Sequence, residues 1–137
     1  APQIGENLQI FVTQPEKKYY EPLRIFINPK ITGISTERVN LWEGCGSIAH
    51  SNLWGIVSRS KAVIIEAQNQ NGKNFKLEGD GILSRVIQHE YDHLFGILFT
   101  SLISKNSLIS SQNFTENMIT PEQKTNSRIT LRKLTFR

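Results

Sequence analysis

The pentapeptide His89-Glu90-Tyr91-Asp92-His93 constrains this chain more than any other feature of it. Two histidines four residues apart project from one face of a helix, so both imidazoles can reach a single metal ion. The glutamate between them is offset by about 100° around the helix axis, where it can act on a water at that ion without ligating it. The flanking residues agree with a helix. Ile82, Val86, His89 and His93 fall on one stripe, and Leu83, Ile87, Glu90 and Leu94 on the next. Asp80 stands where an N-cap is needed and Gly96 where a helix ends, which predicts a helix over residues 80–95. One stripe then faces a core and the histidine stripe faces a cleft. The alternative for these five residues is a pair of buried, hydrogen-bonded histidines.

A catalytic metal takes three protein ligands and keeps one position open. Zinc endopeptidases with H-E-x-x-H draw the third ligand from downstream. Here no histidine follows His93, and Glu116 and Glu122 lie in a polar stretch without helical pattern. Upstream stands the chain's one cysteine, Cys45, in Glu43-Gly44-Cys45-Gly46-Ser47, where the flanking glycines allow close backbone approach. A Cys45 thiolate with His89 and His93 completes the set. The third histidine, His50, reads as a non-ligand in a polar loop. A single cysteine excludes an intramolecular disulfide and suits a reducing compartment.

The 137 residues, 38% hydrophobic and 20% charged, suit one domain with a real core and exclude a wholly disordered chain. No apolar run approaches the ~20 residues of a membrane span. Strands are expected over residues 8–12, 24–28 (closed by Pro29), 30–35, 54–60, 61–67 and 75–77. Asn71-Gly72 reads as a two-residue hairpin turn with positive φ at both positions. The fold class expected is α+β, with antiparallel strands wrapped around one central helix. Residues 16–21 read as an exposed turn and 104–127 as a loop or disordered segment. A last strand or docking segment is expected over 129–136. The formal charge of +4 is uneven, since Lys124, Arg128, Arg132, Lys133 and Arg137 follow Glu122 with no further acid.

Together these features resemble the peptide deformylase family. That family carries a glycine-rich stretch ending in glutamine, an E-G-C-x-S segment, and H-E-x-D-H on a helix. Glu43 to Ser47 is similar to the second motif. His89 to His93, with Gln88 before and Leu94 after, is similar to the third. Ala1 to Gly5 is similar to the tail of the first, with Gln3 as its glutamine. Gly46 departs from the leucine usual after the cysteine, and the glycines and N-terminal helix of the family do not appear in this sequence.

The resemblance implies a catalytic domain over residues 1–103, lacking its start, and a polar, basic tail over 104–137. It implies a hydrolase that removes the formyl group from the N-terminal formyl-methionine of newly made polypeptides. Cys45, His89 and His93 would hold the metal and Glu90 would carry the proton. The Gln3 side-chain amide and the Gly46 N–H would donate to the oxyanion. Val86 and Ile82, one and two helical turns before His89, would wall a methionine pocket. The Gly44 main chain would contact a peptide added along a strand edge. Glu43 and Ser47 would support rather than touch the reaction, Arg85 reads as a surface or rim charge, and Asp92 as a partner for a base such as Arg59. The resemblance implies one Fe²⁺ per chain, replaceable by Zn²⁺ or Ni²⁺; the sulfur-plus-imidazole donor set itself suits zinc or iron. It further implies a monomer in a bacterial cytoplasm, or alternatively a mitochondrion or plastid. Transient ribosome contact through the basic tail is expected, with no membrane and no specific DNA. Two alternatives stand beside it: an inactive deformylase-like protein that binds formylated or nascent peptides, and an H-E-x-x-H zinc endopeptidase.

Overall fold

The computed structural model of the protein describes residues 1–15, 21–48, 53–104 and 106–136. His50 and residues 16–20 lie outside the described residues. Ten elements follow in chain order: β1 (Ile10–Thr13), β2 (Arg24–Ile34), β3 (Arg38–Gly44), β4 (Leu53–Ser60), β5 (Ala62–Gln68), β6 (Asn74–Asp80), α1 (Gly81–His93), β7 (Ile109–Ser110), α2 (Pro121–Asn126) and β8 (Leu131–Phe136). Five strands form one sheet in the order β1-β2-β5-β6-β8, and three form another in the order β3-β4-β7. Every pairing is antiparallel. Helix α1 contacts β1, β5 and β6 of the first sheet and β4 of the second. This is the α+β arrangement expected, with the H-E-x-x-H helix at its centre.

The core lies between α1 and the larger sheet. Phe11, Phe26, Val63, Ile65, Phe75 and Leu77 from the strands meet Leu83 and Ile87 from the helix. Phe11 and Phe26 stack with ring centroids 4.8 Å apart. The smaller sheet closes on the other side of α1. Only Lys61 separates β4 from β5, so the chain changes sheets at this corner. Gln88 fastens it: its Nε2 donates to Ser60 O at 2.8 Å, and its Oε1 accepts from Ser60 N at 3.2 Å.

Four local expectations are corrected. Pro29 does not end a strand, because β2 runs through it with a register shift between Ile27 and Lys30. Asn28 absorbs the irregularity at φ 49°, and a bulge is where a strand tolerates a residue without an N–H. The β5–β6 hairpin closes with three loop residues, Gln70-Asn71-Gly72. Asn69 N donates to Lys73 O at 3.0 Å, and only Gly72 has positive φ. Asp80 does not cap α1 with its side chain. Instead Ile82 N donates to Ser127 O at 2.9 Å, and Asp80 Oδ1 accepts from Thr130 N at 2.7 Å. Residues 106–127 are not a plain loop either. They add β7 to β4 and build α2, whose start is a capping box between Thr120 and Gln123 with Pro121 in the first turn. The strand expected near residues 129–136 is β8, paired with β6.

Candidate active site

Cys45 leaves the end of β3 while His89 and His93 stand on the last two turns of α1. The two elements meet so that the cysteine Sγ and one nitrogen of each histidine all lie within 4.8 Å of one another. Cys45 Sγ is 3.3 Å from His93 Nε2. Ligands arranged tetrahedrally at ordinary zinc distances stand roughly 3.4–3.6 Å apart, so the residues present fit a divalent ion. Their outer atoms fit too, because a ligating imidazole normally gives its other nitrogen to an acceptor. His89 Nδ1 faces Glu43 Oε2 at 3.0 Å, and His93 Nδ1 faces Ile97 O at 3.2 Å. That carbonyl is delivered by the helix end. Gly96 adopts φ 72°, and Ile97 N donates back to Asp92 O at 3.0 Å, a left-handed stop for which glycine is suited. Ser47 N donates to Cys45 Sγ at 3.4 Å.

Behind the histidines lies a buried charge cluster. Glu43 is 5% exposed and accepts from Arg59 Nε at 2.6 Å, Arg59 Nη2 at 3.1 Å and Arg85 Nη1. Arg59 also donates to Asp92 Oδ2 at 2.7 Å. The expected Asp92–Arg59 pair is therefore present. Arg85 is not a surface or rim charge. It is 4% exposed and donates further to Val39 O at 2.7 Å and Val57 O at 3.1 Å. Position 85 lies one turn before His89, on the stripe facing the smaller sheet rather than solvent; there two carbonyls and a carboxylate accept from its Nη atoms, while its buried Nε has no hydrogen-bond partner among the described residues. Two acids balance two arginines, as burial of charge requires. Burial pushes the Glu43 carboxyl up, but hydrogen bonds from His89 and Arg59 and the two guanidinium charges outweigh it and hold its pKa at about 2. For His89 burial acts downward, yet the bond to Glu43 and the nearby cysteine carry it above the ordinary value. His93 is lowered, first by burial and then by His89.

Glu90 is half-buried and borders two clefts. The smaller, of about 220 Å³, is lined by Gly44, Ile82, Val86 and His89 together with Trp42 and Trp54. The larger, of about 430 Å³, lies between α1 and the N-terminal segment and includes Gln3, Ile10, Val12 and His93. Gln3 itself is exposed on a single 3₁₀ turn over Pro2–Ile4. Its amide nevertheless reaches the cysteine loop: a Cβ placed on Gly46 would stand 3.3 Å from Gln3 Nε2. The nine residues expected to bind metal, act in the reaction or touch substrate thus surround these two clefts or the Cys45–His89–His93 cluster. The sequence reading missed the indoles and the depth of Arg59 and Arg85. One signal was available, since Glu43 alternates in phase with the buried Val39 and Leu41 of β3.

The sequence model of the polypeptide deformylase family matches residues 1–108. A peptide deformylase of Treponema pallidum (strain Nichols) is 45% identical over 105 residues, which are 77% of this chain and 61% of the relative. One from Borreliella burgdorferi is 46% identical over 99 residues, 72% of this chain and 58% of the relative. The crystal structure of a peptide deformylase from Synechococcus elongatus in complex with actinonin has a TM-score of 0.70 and 37% identity, covering 77% of this chain and 55% of that one. For the Thermotoga maritima peptide deformylase the values are 0.68 and 35%, over 76% of this chain and 67% of that one. The chain spans about three-fifths of the length of the curated relatives it matches. A match to the family over most of its residues, and relatives at this level of identity, place it: the chain belongs to the polypeptide deformylase family.

Proposed function

We propose that this chain carries out deformylation, the hydrolysis of the formamide bond of N-formylmethionyl peptides to formate and a free amine. One observation carries the reading: Glu90 stands beside the converging Cys45, His89 and His93 at the junction of two clefts. Cys45, His89 and His93 would hold one divalent ion, Fe²⁺ in the cell, with Zn²⁺ or Ni²⁺ able to replace it. When bound, such an ion acts as a Lewis acid and brings the pKa of water near neutrality. Glu90 accepts a proton at its carboxylate and returns it to the departing amine. The Gln3 amide and the neighbouring Gly46 N–H donate to the oxygen that gains charge. Ile82 and Val86 receive the methionine side chain in the smaller cleft, and Gly44 contacts the peptide backbone at its rim. Glu43, held by Arg59 and Arg85, keeps the His89 ring in place. In this reading residues 1–103 carry the chemistry and 104–137 brace it. The substrate is a nascent chain in the bacterial cytoplasm.

Changing Glu90 to Gln keeps the shape of the side chain and removes the proton acceptor. E90Q is expected to keep its metal, measured by elemental analysis, and to release formate from formyl-Met-Ala-Ser about 10²–10⁴-fold more slowly. Near-normal formate release from metal-loaded E90Q would refute the assignment.

A further inference from the structure

We infer that the free edge of β8, with the apolar groove beside it, is a docking site for an extended acidic segment of a partner protein. The inference goes beyond deformylation and does not rest on it. β8 closes the larger sheet, paired with β6 on one side and, among the described residues, with no strand on the other. An edge strand turns every second N–H and C=O outwards, so its free side is a template for a further strand. Phe136, Leu134 and Leu131 stand opposite Phe75, Leu77 and Gly79, and so share the face that elsewhere forms the core. Here that face is open: Leu131 is 39% exposed, Leu134 40% and Phe136 51%. With Leu23, exposed just before β2, they line a groove of about 310 Å³ that also includes Phe75 and Leu77.

The charges around the groove select its occupant. Arg24 is engaged by Glu21, and Arg132 lies 3.4 Å from Asp80 and 3.8 Å from Glu78. Lys73 and Lys133 have no ion-pair partner among the described residues. Lys73 Nζ stands 5.0 Å from the centre of the Phe136 ring, on the groove side. Lys133 is exposed on the opposite face, in register with Glu78. Residues 123–137 add Lys124 and Arg128 and hold no acid. A strand laid along β8 alternates its side chains between the two faces. Its apolar residues meet Leu131, Leu134 and Phe136, and its acidic residues come beside Lys133. A second copy of this chain fits poorly. Antiparallel pairing of two β8 strands brings Arg132 and Lys133 of both copies together, and like charges on facing strands repel. RNA would be held by the cations alone, leaving the apolar groove in water.

The probe is a fluorescein-labelled, amidated hexapeptide, Glu-Leu-Glu-Val-Glu-Phe, titrated with the full chain and followed by anisotropy. Saturable binding is expected, about tenfold tighter than that of Lys-Leu-Lys-Val-Lys-Phe. K133E should weaken it about fivefold, and F136A by a similar factor. K30E, the same charge change at an exposed position of β2, should leave it unaltered. Bound peptide should slow amide hydrogen exchange in β8. Lys133 is an exposed side chain, so K133E decides the matter even if F136A fails to fold. Absence of saturable binding, equal affinity for the acidic and basic peptides, full affinity in K133E, or binding without slower exchange in β8 overturns the docking site. A dimer of the unaltered chain with protected β8 amides gives the edge to a second copy. A single-stranded RNA that displaces the peptide and binds more tightly gives it to nucleic acid. Either result overturns the proposal. None of these readouts uses formate release, so a failed deformylase assay leaves the result intact.

Discussion

Glu43 ties four side chains together: its carboxylate accepts from Arg59 and Arg85 and orients His89, while Arg59 reaches on to Asp92. With a folded pKa of about 2 against an ordinary 4.5, it remains charged in the native state where the unfolded chain has taken up a proton. The stabilisation is therefore complete above about pH 4.5 and is lost as the pH falls towards 2. It amounts to about 3 kcal/mol for this single group. E43Q removes it and leaves two buried guanidinium groups facing a neutral amide. Thermal unfolding of the metal-free proteins should show E43Q well below the unaltered protein at pH 7, with the gap closing between pH 4.5 and 2. A gap that stays constant over that range would mean the carboxylate charge is not what stabilises the cluster. The sequence carried His89, Glu90 and His93 plainly as candidates, because their spacing on a helix is a geometric statement in itself, whereas Cys45 lies off the helix, after β3. Arg85 was hidden, because a lone arginine on a helix gives no sign of the carboxylate and carbonyls that will surround it.

Helix α1 is finished at both ends by glycines in the left-handed region, and the two are in different company. Gly96, at φ 72°, has open space where a Cβ would go. Its role is to turn the chain so that Ile97 O meets His93 Nδ1. Gly81, at φ 64°, lies under the C-terminal segment, where a Cβ would stand 2.0 Å from Arg128 O. G96A should therefore cost about 1 kcal/mol, the conformational term alone. G81A should cost about 3 kcal/mol or more, because strain is joined by a backbone collision. Urea unfolding midpoints of the two variants decide this, and equal losses would place the crossing segment further from the helix than the structure has it. The end of the helix was legible at Gly96. Its beginning was not, since Asp80 looked like an N-cap and is instead drawn towards Thr130 and Arg132. A partner some 50 residues away in sequence competes with the local one, and no local pattern reveals that.

At the scale of the whole molecule, the segment after residue 104 is what sequence patterning read least well. Its polar composition suggested a loop, although Thr120-Pro121-Glu122-Gln123 carried a capping box that α2 uses. The last strand is half exposed and patterned too weakly for its partner to be foreseen, yet β8 completes the larger sheet along β6. Ile129 packs against the core, Ser127 O receives the N–H of Ile82, and Thr130 O receives that of Asp80. The segment thus binds the start of the helix that carries His89, Glu90 and His93, and also the strand that leads into it. Truncation before Ser127 would strip one edge of the sheet, uncover Phe75 and Leu77, and leave the first turn of α1 uncapped. Several net hydrogen bonds at about 1 kcal/mol each, together with the burial lost at Ile129 and Leu134, make a cost of about 3–5 kcal/mol. That is a large share of the 5–15 kcal/mol by which domains are ordinarily stable. The truncated protein should unfold at a clearly lower urea midpoint. In hydrogen exchange the amide of Ile82 should lose protection, while that of Ile65, in the middle of the sheet, keeps more of it. If the midpoint and the Ile82 amide are both unchanged, the C-terminal segment rests on the helix without holding it, and the bracing role assigned to it is wrong.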